Sequence, residues 1–275
     1  MTRACEIFDE VAYVYAGSLE GLLSAIFDAY ANHEHPSDVV SSKMHQPRLG
    51  QRTHHVETDL PHAMRVRKGV AAKGGRAAYD ALRKASCSSR ADAGWAAYQF
   101  VRYVMDEHSG KAHPLSNLAH EKVAPIAAIC RSVGNECEHM RQFVRFEHLS
   151  GGEADFWFAK CNPRDSVVPL VMPHFVERFN VQPFMIFDEV HLVAGVYDGA
   201  GWRLVDASEA GPDGLRLPDR SAEEATMQNA WRHFYKCVAV DARYNPELRR
   251  HFMPKRLWRN LTEMQEDIGM LATTQ

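Results

Sequence analysis

The chain has 275 residues, of which 45% are hydrophobic, so it can bury the core of an ordinary globular protein, as one large domain or two that pack tightly. Its formal net charge is −3, and six cysteines are scattered without a CxxC pair, which indicates reduced thiols rather than a disulfide framework. Acidic residues near the start argue against a signal peptide, and the sequence has no run of roughly 18 apolar residues that could form a membrane span. Cytoplasm is therefore the expected compartment.

The first predicted elements are a short strand from Ala12 to Tyr15 and a helix from Leu19 to about Ala31. Ser18 is a suitable N-cap for this helix, whose leucines, isoleucine and aromatic residues recur at helical spacing. The polar stretch from His33 to about Gln51 has no sustained periodicity and is predicted to be a loop. A second short strand is expected from Thr53 to Thr58.

Helical segments are predicted to fill Leu60 to Arg145. Asp59 can cap the first of them, with Pro61 in its first turn. Breaks in the helical pattern are expected near Gly74-Gly75, at Ser86–Ser89 and at Ser109–Pro114. The clearest helix begins at Asn117, where apolar residues alternate by three and four positions and predict one buried seam: Val123, Ile126, Cys130, Val133, Cys137 and Met140.

Beyond Phe146 the sequence changes to shorter aromatic and β-branched runs. These runs predict two strands, Phe156–Lys160 and Phe184–Phe187, with a helix between them at Ser166–Phe179. A hairpin is predicted to follow, formed by Val190–Tyr197 and Trp202–Val205. After a loop at Gly211–Pro218, Ser221 and Glu224 form a capping box that opens a helix through Met227. The predicted fold class is α+β, with a helical middle region, a small mostly antiparallel sheet and a helical C-terminus. It forms a single unit over 1–275, with possible subregions 1–145 and 146–275.

Basic residues are concentrated in two stretches of the chain. The stretch from Met227 to Arg259 has eight basic residues and only two acidic ones, Asp241 and Glu247. The stretch from Lys43 to Lys84 has ten basic residues and three acidic ones. In a chain of negative net charge, such asymmetry favours a local anionic partner, and two basic stretches could track a phosphate backbone. The candidate nucleic-acid-binding residues are Arg65, Arg67, Lys68, Lys73, Arg76, Arg243, Arg249, Arg250, Lys255, Arg256 and Arg259. The alternative is an ordinary solvated surface.

Aromatic residues accompany the C-terminal basic stretch. Possible stacking faces for bases are Trp231, Tyr235, Tyr244, Phe252 and Trp258. Trp231, Phe234 and Val238 share one helical face and are therefore expected to belong to the core. Asn245 can cap a following helix that has Pro246 in its first position.

The most enzyme-like group is His174, Arg178 and Asp188. The two residues of the predicted helix lie one turn apart on one face, beside Glu177, and Asp188 ends a strand that could bring a carboxylate towards them. Such a trio could perform acid–base work or hold a phosphate, or it could be a buried polar network. Among the cysteines, Cys161 is the candidate for reactivity.

No metal or cofactor site is predicted. The seven-residue spacing of Cys130 and Cys137 follows the buried seam rather than the short pairs that are typical of zinc ligands. The glycines at Lys73-Gly74-Gly75-Arg76 lack the pattern of a phosphate-binding P-loop. Whether the chain is an enzyme is left open by its residues.

Three segments carry a resemblance to a known family. The opening YVYAGSLEGLLSAIFDAY, the central RFEHLSGGEADFWFAKCNPRDSVVPLVMPHFVERFNVQPFMIFDEV and the closing WRHFYKCVAVDARYNPELRRHFMPKRLWRNLTE are similar to a bacterial family called probable DNA metabolism proteins. Members occur alone or joined to a uracil-DNA glycosylase-like domain, and they are typically encoded beside a radical SAM protein suspected of DNA repair. This chain shows no such attached domain, so the resemblance implies no glycosylase activity.

Three functions are therefore considered. The preferred interpretation is a DNA-metabolism or repair accessory protein that binds DNA through basic surfaces and acts with an enzymatic partner. The second is an enzyme for a nucleic-acid or phosphate substrate around the His174 trio. The third is a protein-binding partner of the radical SAM enzyme, which an exposed apolar patch would favour.

Overall fold

The computed structural model describes residues 10–107, 113–150, 156–208 and 218–265. Contacts between residues divide the chain into two units, 1–134 and 135–275, and the boundary falls inside one helix. In these described ranges no helix has the length and apolar character needed to cross a membrane. Because the chain combines helices with strands in both units, the predicted α+β class is confirmed.

The first unit is built on a small parallel sheet. Its elements are β1 Val11–Tyr15, α1 Leu19–Ala31, β2 Asp38–Ser41, β3 Arg52–His55, α2 Leu60–Cys87, α3 Ala93–Arg102, a π-helical turn Tyr103–Glu107 and the start of α4 (Ala124–Phe143). The strand order is β2-β1-β3, and Ala12 pairs with both Asp38 and Thr53. The central strand is buried along its whole length, whereas the edge strand β3 is exposed at Arg52 and His55.

Capping residues start the first two helices where the sequence predicts. The Ser18 hydroxyl accepts a hydrogen bond from the Gly21 backbone N–H at 3.0 Å, and the Asp59 carboxylate accepts one from His62 at 2.7 Å. Each bond satisfies one of the N–H groups that a helix start leaves without a partner. Leu22 and Ile26 of α1 are fully buried, as their helical spacing predicts.

The loop predicted for 33–51 is wrong at Asp38–Ser41, which forms β2. Only two apolar residues, Val39 and Val40, identify this strand, and two residues are too few to show a period. Its stability comes instead from hydrogen bonds to β1 and from burial of both valines, which local sequence does not reveal. The three-residue strand β4, Glu147–Leu149, was missed for the same reason.

The second unit contains a five-stranded sheet and the C-terminal helices. Its elements are β4, β5 Phe156–Cys161, α5 Val168–Arg178, β6 Phe184–Asp188, β7 Val193–Tyr197, β8 Trp202–Asp206, α6 Ala222–Val238 and α7 Pro246–Phe252, with short 3-10 turns at Asp241–Arg243, Lys255–Asn260 and Thr262–Met264. The strand order is β4-β5-β6-β7-β8. The predicted hairpin is present, since Tyr197 pairs with Trp202 in an antiparallel register.

The expectation of a mostly antiparallel sheet is wrong. Strands β5 and β6 pair in parallel, which makes the five-stranded sheet mixed, and both pairings of the three-stranded sheet are parallel. The reason is the connection: α5 lies between β5 and β6, and a helical crossover returns the chain in the same direction, whereas a tight turn reverses it. Helix α5 packs closely on β7, where a Cβ added at Gly195 would lie 2.4 Å from the Met172 sulfur.

The buried seam of α4 is confirmed, although the helix starts later than predicted. All six seam residues are buried, from Val123 to Met140. The helix begins at Ala124 rather than Asn117 because Pro125 lacks an N–H and is best accommodated in a first turn, where no helical hydrogen bond is required. The proline therefore marks the start of the helix rather than a kink within it.

The C-terminus is only partly helical. After α7, the chain continues as 3-10 turns that place Trp258, Leu261 and Met264 in a buried cluster, against which Phe143, Tyr235 and Met253 pack. The predicted loop at Gly211–Pro218 and the predicted break at Ser109–Pro114 lie almost wholly outside the described residues.

Gly75 provides a test of the predicted break in the second helix. Its backbone, at φ 71° and ψ −177°, bends α2 and brings the Arg67 guanidinium to 4.9 Å from the centre of the Tyr79 ring, twelve positions away. We expect Gly75→Ala to lower the free energy of unfolding by about 1–3 kcal/mol, because this conformation is open almost exclusively to glycine. Urea denaturation measures the change.

Gly69 of the same helix supplies the matched control. A Cβ at Gly69 meets only the terminal methyl of Met105, at 3.9 Å, which is ordinary contact. Gly69→Ala should therefore be neutral or stabilise by a few tenths to about 1 kcal/mol, since alanine has less freedom than glycine in the unfolded chain. Equal effects of the two substitutions would contradict a strained conformation at Gly75.

Candidate nucleic-acid interface

Helix α6 begins at a capping interaction that also attaches it to the sheet. The Ser221 hydroxyl accepts a hydrogen bond from the Glu224 N–H at 3.0 Å, as the capping box predicts. The reciprocal hydrogen bond of a capping box, from the Ser221 N–H to the Glu224 carboxylate, is replaced by contacts to β4. The Glu224 carboxylate accepts a hydrogen bond from the His148 N–H of β4 at 3.1 Å, while the Ser221 N–H donates to the His148 carbonyl. The start of α6 is thereby fixed against β4.

The apolar face of α6 is exposed, so the prediction that it belongs to the core is wrong. Trp231, Phe234 and Val238 are 42%, 54% and 53% exposed. Their helical spacing shows correctly that they share one face, but spacing does not reveal whether another element covers that face. The rings of Trp231 and Phe234 lie with centres 5.8 Å apart, so these residues form one exposed apolar patch rather than isolated surface positions.

The candidate stacking residues fall into two classes. Trp231, Tyr244 and Phe252 are exposed. Trp258 is buried and its indole N–H donates to the Met253 carbonyl at 3.0 Å, and half-buried Tyr235 packs against the same cluster. Three of the five predicted stacking faces are therefore accessible, and the other two hold the C-terminal turns in place.

Three of the six C-terminal candidate residues contact other segments of the chain. The Arg256 guanidinium donates to the buried Glu136 carboxylate at 2.6 Å and to the Asn162 carbonyl at 3.2 Å. The Arg249 guanidinium lies 4.8 Å from the centre of the Trp258 ring, and Arg259 forms an exposed ion pair with Glu189. Arg256 and Arg249 are consequently positioned to stabilise the fold.

The other three of these six candidate residues are exposed: Arg243, Arg250 and Lys255. Arg250 also donates from its Nε to the Pro246 carbonyl of α7 at 3.1 Å. Asn245 caps α7 by accepting a hydrogen bond from Leu248 at 2.9 Å, as predicted, and so sets the direction in which this short helix leaves the turn after Arg243. We call the exposed aromatic and basic residues of this stretch the C-terminal surface: Trp231, Phe234, Arg243, Tyr244, Arg250, Phe252 and Lys255.

The five candidate nucleic-acid-binding residues of the first unit all lie on α2. Arg65, Arg67, Lys68, Lys73 and Arg76 are exposed. Four of them contact groups of the chain itself: Arg65 lies over Phe27, Arg67 over Tyr79, Lys73 donates to the Met105 carbonyl, and Arg76 is 3.6 Å from Asp80. Their positions are distributed around the helix axis and on both sides of the bend at Gly75, and four of the five charges are already in contacts within the chain.

The structure gives Asp188 partners other than His174 and Arg178. Asp188 is fully buried and accepts hydrogen bonds from the backbone N–H groups of Val190 and His191, and its second oxygen lies 2.6 Å from the His191 ring nitrogen. His174 is half-buried with its ring against Phe175, and Arg178 is exposed. Within the described ranges, the hydrogen bonds of Asp188 serve its own turn.

Cys161 has the character of a structural thiol. It is buried at the end of β5, and its thiol donates to the Phe187 carbonyl at 3.4 Å. Burial, and then the neighbouring carboxylates of Asp188, Glu189 and Glu136, raise the pKa of this thiol well above its usual value. Since the thiolate is the reactive form, Cys161 is a poor nucleophile near neutral pH.

A profile for a protein family, described as a domain of unknown function, DUF4130, matches residues 92–263. The chain belongs to this family. Among curated proteins, no match to this sequence was found.

The DUF4130 match includes one of the two basic stretches and leaves out the other. It includes the whole C-terminal surface and the five-stranded sheet, whereas α2 lies outside it. The matched region also contains Glu136, Asn162 and Arg256, whose contacts hold the C-terminal turns against α4 and β5.

The Arg256–Glu136 pair can be tested as a structural element of the DUF4130 region. Glu136 is only 4% exposed, so Arg256→Met leaves a buried carboxylate without its cation. We expect a loss of about 3 kcal/mol in the free energy of unfolding, measured by urea denaturation. The double variant Arg256→Met with Glu136→Gln should recover part of the loss, because it also removes the buried charge.

Arg259→Met is the control for this experiment. Arg259 also forms an ion pair, with Glu189, but its side chain is 55% exposed. Exposed pairs contribute about 0–1 kcal/mol, so this variant should be nearly as stable as the wild type. If Arg256→Met were equally mild, the assignment of Arg256 to the fold would be wrong.

Proposed function

We propose that this protein is an accessory protein of DNA metabolism that binds nucleic acid through the C-terminal surface and acts beside an enzymatic partner. One observation carries the proposal: α6, α7 and the turns around them expose aromatic side chains and cations in the same stretch of chain. Exposed aromatic faces stack on bases, and neighbouring cations attract the phosphates between them.

The division of the basic residues supports this assignment. Arg249 and Arg256 stabilise the fold, so the cations that remain for a ligand are the exposed Arg243, Arg250 and Lys255. Between Arg243 and Lys255 the sequence has one acidic residue, Glu247, which lies in the first turn of α7. The exposed cations therefore outnumber it, and the charge around α7 is positive. The resemblance of the sequence to probable DNA metabolism proteins also favours a nucleic-acid ligand.

Single strands suit the C-terminal surface better than duplex. Bases in a duplex are stacked on one another, and their faces are not available to Trp231, Phe234, Tyr244 or Phe252. In a single strand each base has a free face, and stacking on aromatic side chains is tolerant of sequence. We therefore infer a preference for single-stranded DNA or RNA with little dependence on base sequence.

Fluorescence anisotropy with a labelled oligothymidine and a duplex of the same length, over a salt series, tests this function. The wild type should bind the single strand more tightly, and affinity should fall steeply with salt. The variant Arg243→Glu, Arg250→Glu, Lys255→Glu should bind the single strand more weakly, and its salt slope should decrease by about two, because each phosphate contact on a single strand contributes roughly 0.7.

A charge-matched control distinguishes a site from general electrostatics. Arg131, Arg164 and Arg203 are exposed and lie outside the C-terminal surface. The variant Arg131→Glu, Arg164→Glu, Arg203→Glu has the same change in net charge and should bind nearly as well as the wild type. Equal losses in the two variants, or no binding to any strand at low salt, would refute the proposed function.

The apolar face of α6 also supports a second candidate, a protein-binding partner. Met227, Trp231, Phe234 and Val238 form one exposed stripe, and such stripes commonly dock on protein grooves. The resemblance implies a radical SAM protein as the partner. The enzymatic alternative around His174 has less support, since the hydrogen bonds of Asp188 serve its own turn.

Calorimetric titration of the purified radical SAM protein into this chain tests the second candidate. Phe234→Asp with Val238→Asp should weaken association at least about tenfold, because two contacts of about 1 kcal/mol each are lost. The control is Val181→Asp with Leu204→Asp, which changes two exposed apolar residues away from α6. An affinity that is the same in both variants and the wild type would exclude α6 as the docking element.

A further inference from the structure

A cavity of about 490 Å³ lies in the second unit, where α6 faces β4 and β5. Three aromatic side chains line it, Phe146, Trp157 and Trp231, together with the polar groups of Arg145, Gln228 and Thr262. Its volume lies within the range of roughly 300–1,000 Å³ that is usual for small-molecule sites. Apolar walls with a few polar groups are also typical of such sites.

The aromatic walls are held by their own neighbours. The Phe146 ring packs against Phe179 with ring centres 4.8 Å apart, and Trp157 lies 5.2 Å from the ring of His148. Helix α6, which carries Trp231, is fixed to β4 through Glu224. The cavity is therefore largely formed in the absence of a ligand, and its walls suit a planar aromatic group.

The charged groups on the wall are already paired. The two oxygens of Glu147 accept hydrogen bonds from Arg220 at 2.6 and 2.9 Å. Glu224 accepts one from His148 and one from the Gln228 amide nitrogen at 2.9 Å, and Arg145 pairs with Glu263 at 2.8 Å. An anion would meet no free cation at these groups, and both oxygens of each of the two lining carboxylates, Glu147 and Glu224, already accept a hydrogen bond.

The hydrogen-bonding groups that remain are neutral. Gln228 directs its amide nitrogen to Glu224, which leaves its amide oxygen to accept a hydrogen bond, and the Thr262 hydroxyl can donate or accept one. A neutral, planar ring with donors and acceptors on its edge matches both the walls and these groups. A nucleobase has this chemistry.

We infer that this cavity receives one base of a single strand whose backbone lies on the C-terminal surface. The inference rests on the proposed function and adds a base-binding site to it. Its physical basis is the continuity of α6: Gln228 and Trp231 line the cavity, and Phe234, one turn further along, belongs to the C-terminal surface. A base can enter from the strand because unpaired bases can turn out of a single strand at low cost.

Oligothymidine and an oligonucleotide of the same length without bases separate the two proposals. Both strands have the same phosphate charge, so the C-terminal surface should bind both in a salt-dependent manner. The wild type should prefer the base-bearing strand at least about fivefold, which corresponds to the lower end of the stacking contribution of one base. Anisotropy competition at fixed salt measures the ratio.

The double variant Gln228→Leu, Thr262→Val removes the neutral hydrogen-bonding groups of the cavity and leaves every residue of the C-terminal surface in place. Its preference for the base-bearing strand should fall about fivefold, with an unchanged affinity for the strand without bases. Both replacements are close in volume to the original side chains, so they are not expected to unfold the unit. Gln182→Leu with Thr58→Val is the matched control, since both residues are exposed and lie outside the cavity and the C-terminal surface. This control should keep the preference of the wild type.

Each other outcome has a defined meaning. A preference kept in full by the double variant overturns the base site and leaves the proposed function standing. Equal binding of both strands by the wild type overturns the base site and also the stacking of bases on the C-terminal surface. No binding of either strand overturns the proposed function and the base site with it. The dissociation constant of free thymidine can be measured by its quenching of tryptophan fluorescence. If thymidine binds as tightly as the strand, the ligand of the cavity is a free nucleoside, and the inference that the base comes from a strand is overturned.

Discussion

The buried carboxylate of Glu136 is the contact on which the C-terminal part of the protein depends. Its two oxygens accept hydrogen bonds from the Arg164 backbone N–H at 3.0 Å and from the Arg256 guanidinium at 2.6 Å. Through them α4 holds the turn that follows β5 and the 3-10 segment that follows α7. Because a buried carboxylate is costly without a cation, Arg256 is retained by the fold and the 3-10 segment is retained with it.

This constraint decides how the C-terminal basic stretch is divided. Arg256 points inward to Glu136, and Arg249 stacks over Trp258, whose burial completes a cluster with Leu261 and Met264. Between these two anchored residues the chain exposes Arg250, Phe252 and Lys255, and just before Arg249 it exposes Arg243 and Tyr244. The proposed surface therefore lies on both sides of Arg249, one of the residues that attach this stretch to the fold.

Helix α6 connects the two proposals. Its first turn is fixed to β4 through Ser221 and Glu224, its next turn provides Gln228 and Trp231 to the cavity, and its last turns carry Phe234 and Val238 into solvent. A ligand that stacks along this face would cover apolar surface that water otherwise contacts. A protein partner would gain from the same burial, so the two candidate functions compete for one face of one helix.

Local sequence was sufficient wherever a short-range interaction decides the structure. Ser18, Asp59, Ser221 and Asn245 start helices as predicted, because a cap bonds to an N–H only two or three residues away. Gly75 bends α2 as its glycine pair predicts, and the α4 seam is buried because a long period of three and four is hard to form by chance.

Tertiary contacts decided what local patterns do not contain. β2 exists through pairing with β1, the direction of β6 relative to β5 follows from the α5 crossover, and the partner of Asp188 proves to be His191 rather than His174. The same holds for the site: the sequence identifies which residues of α6 share a face and which residues are basic. Only the fold determines that the apolar face is exposed and that Arg256 is held at Glu136, because burial and ion pairing depend on residues more than a hundred positions apart.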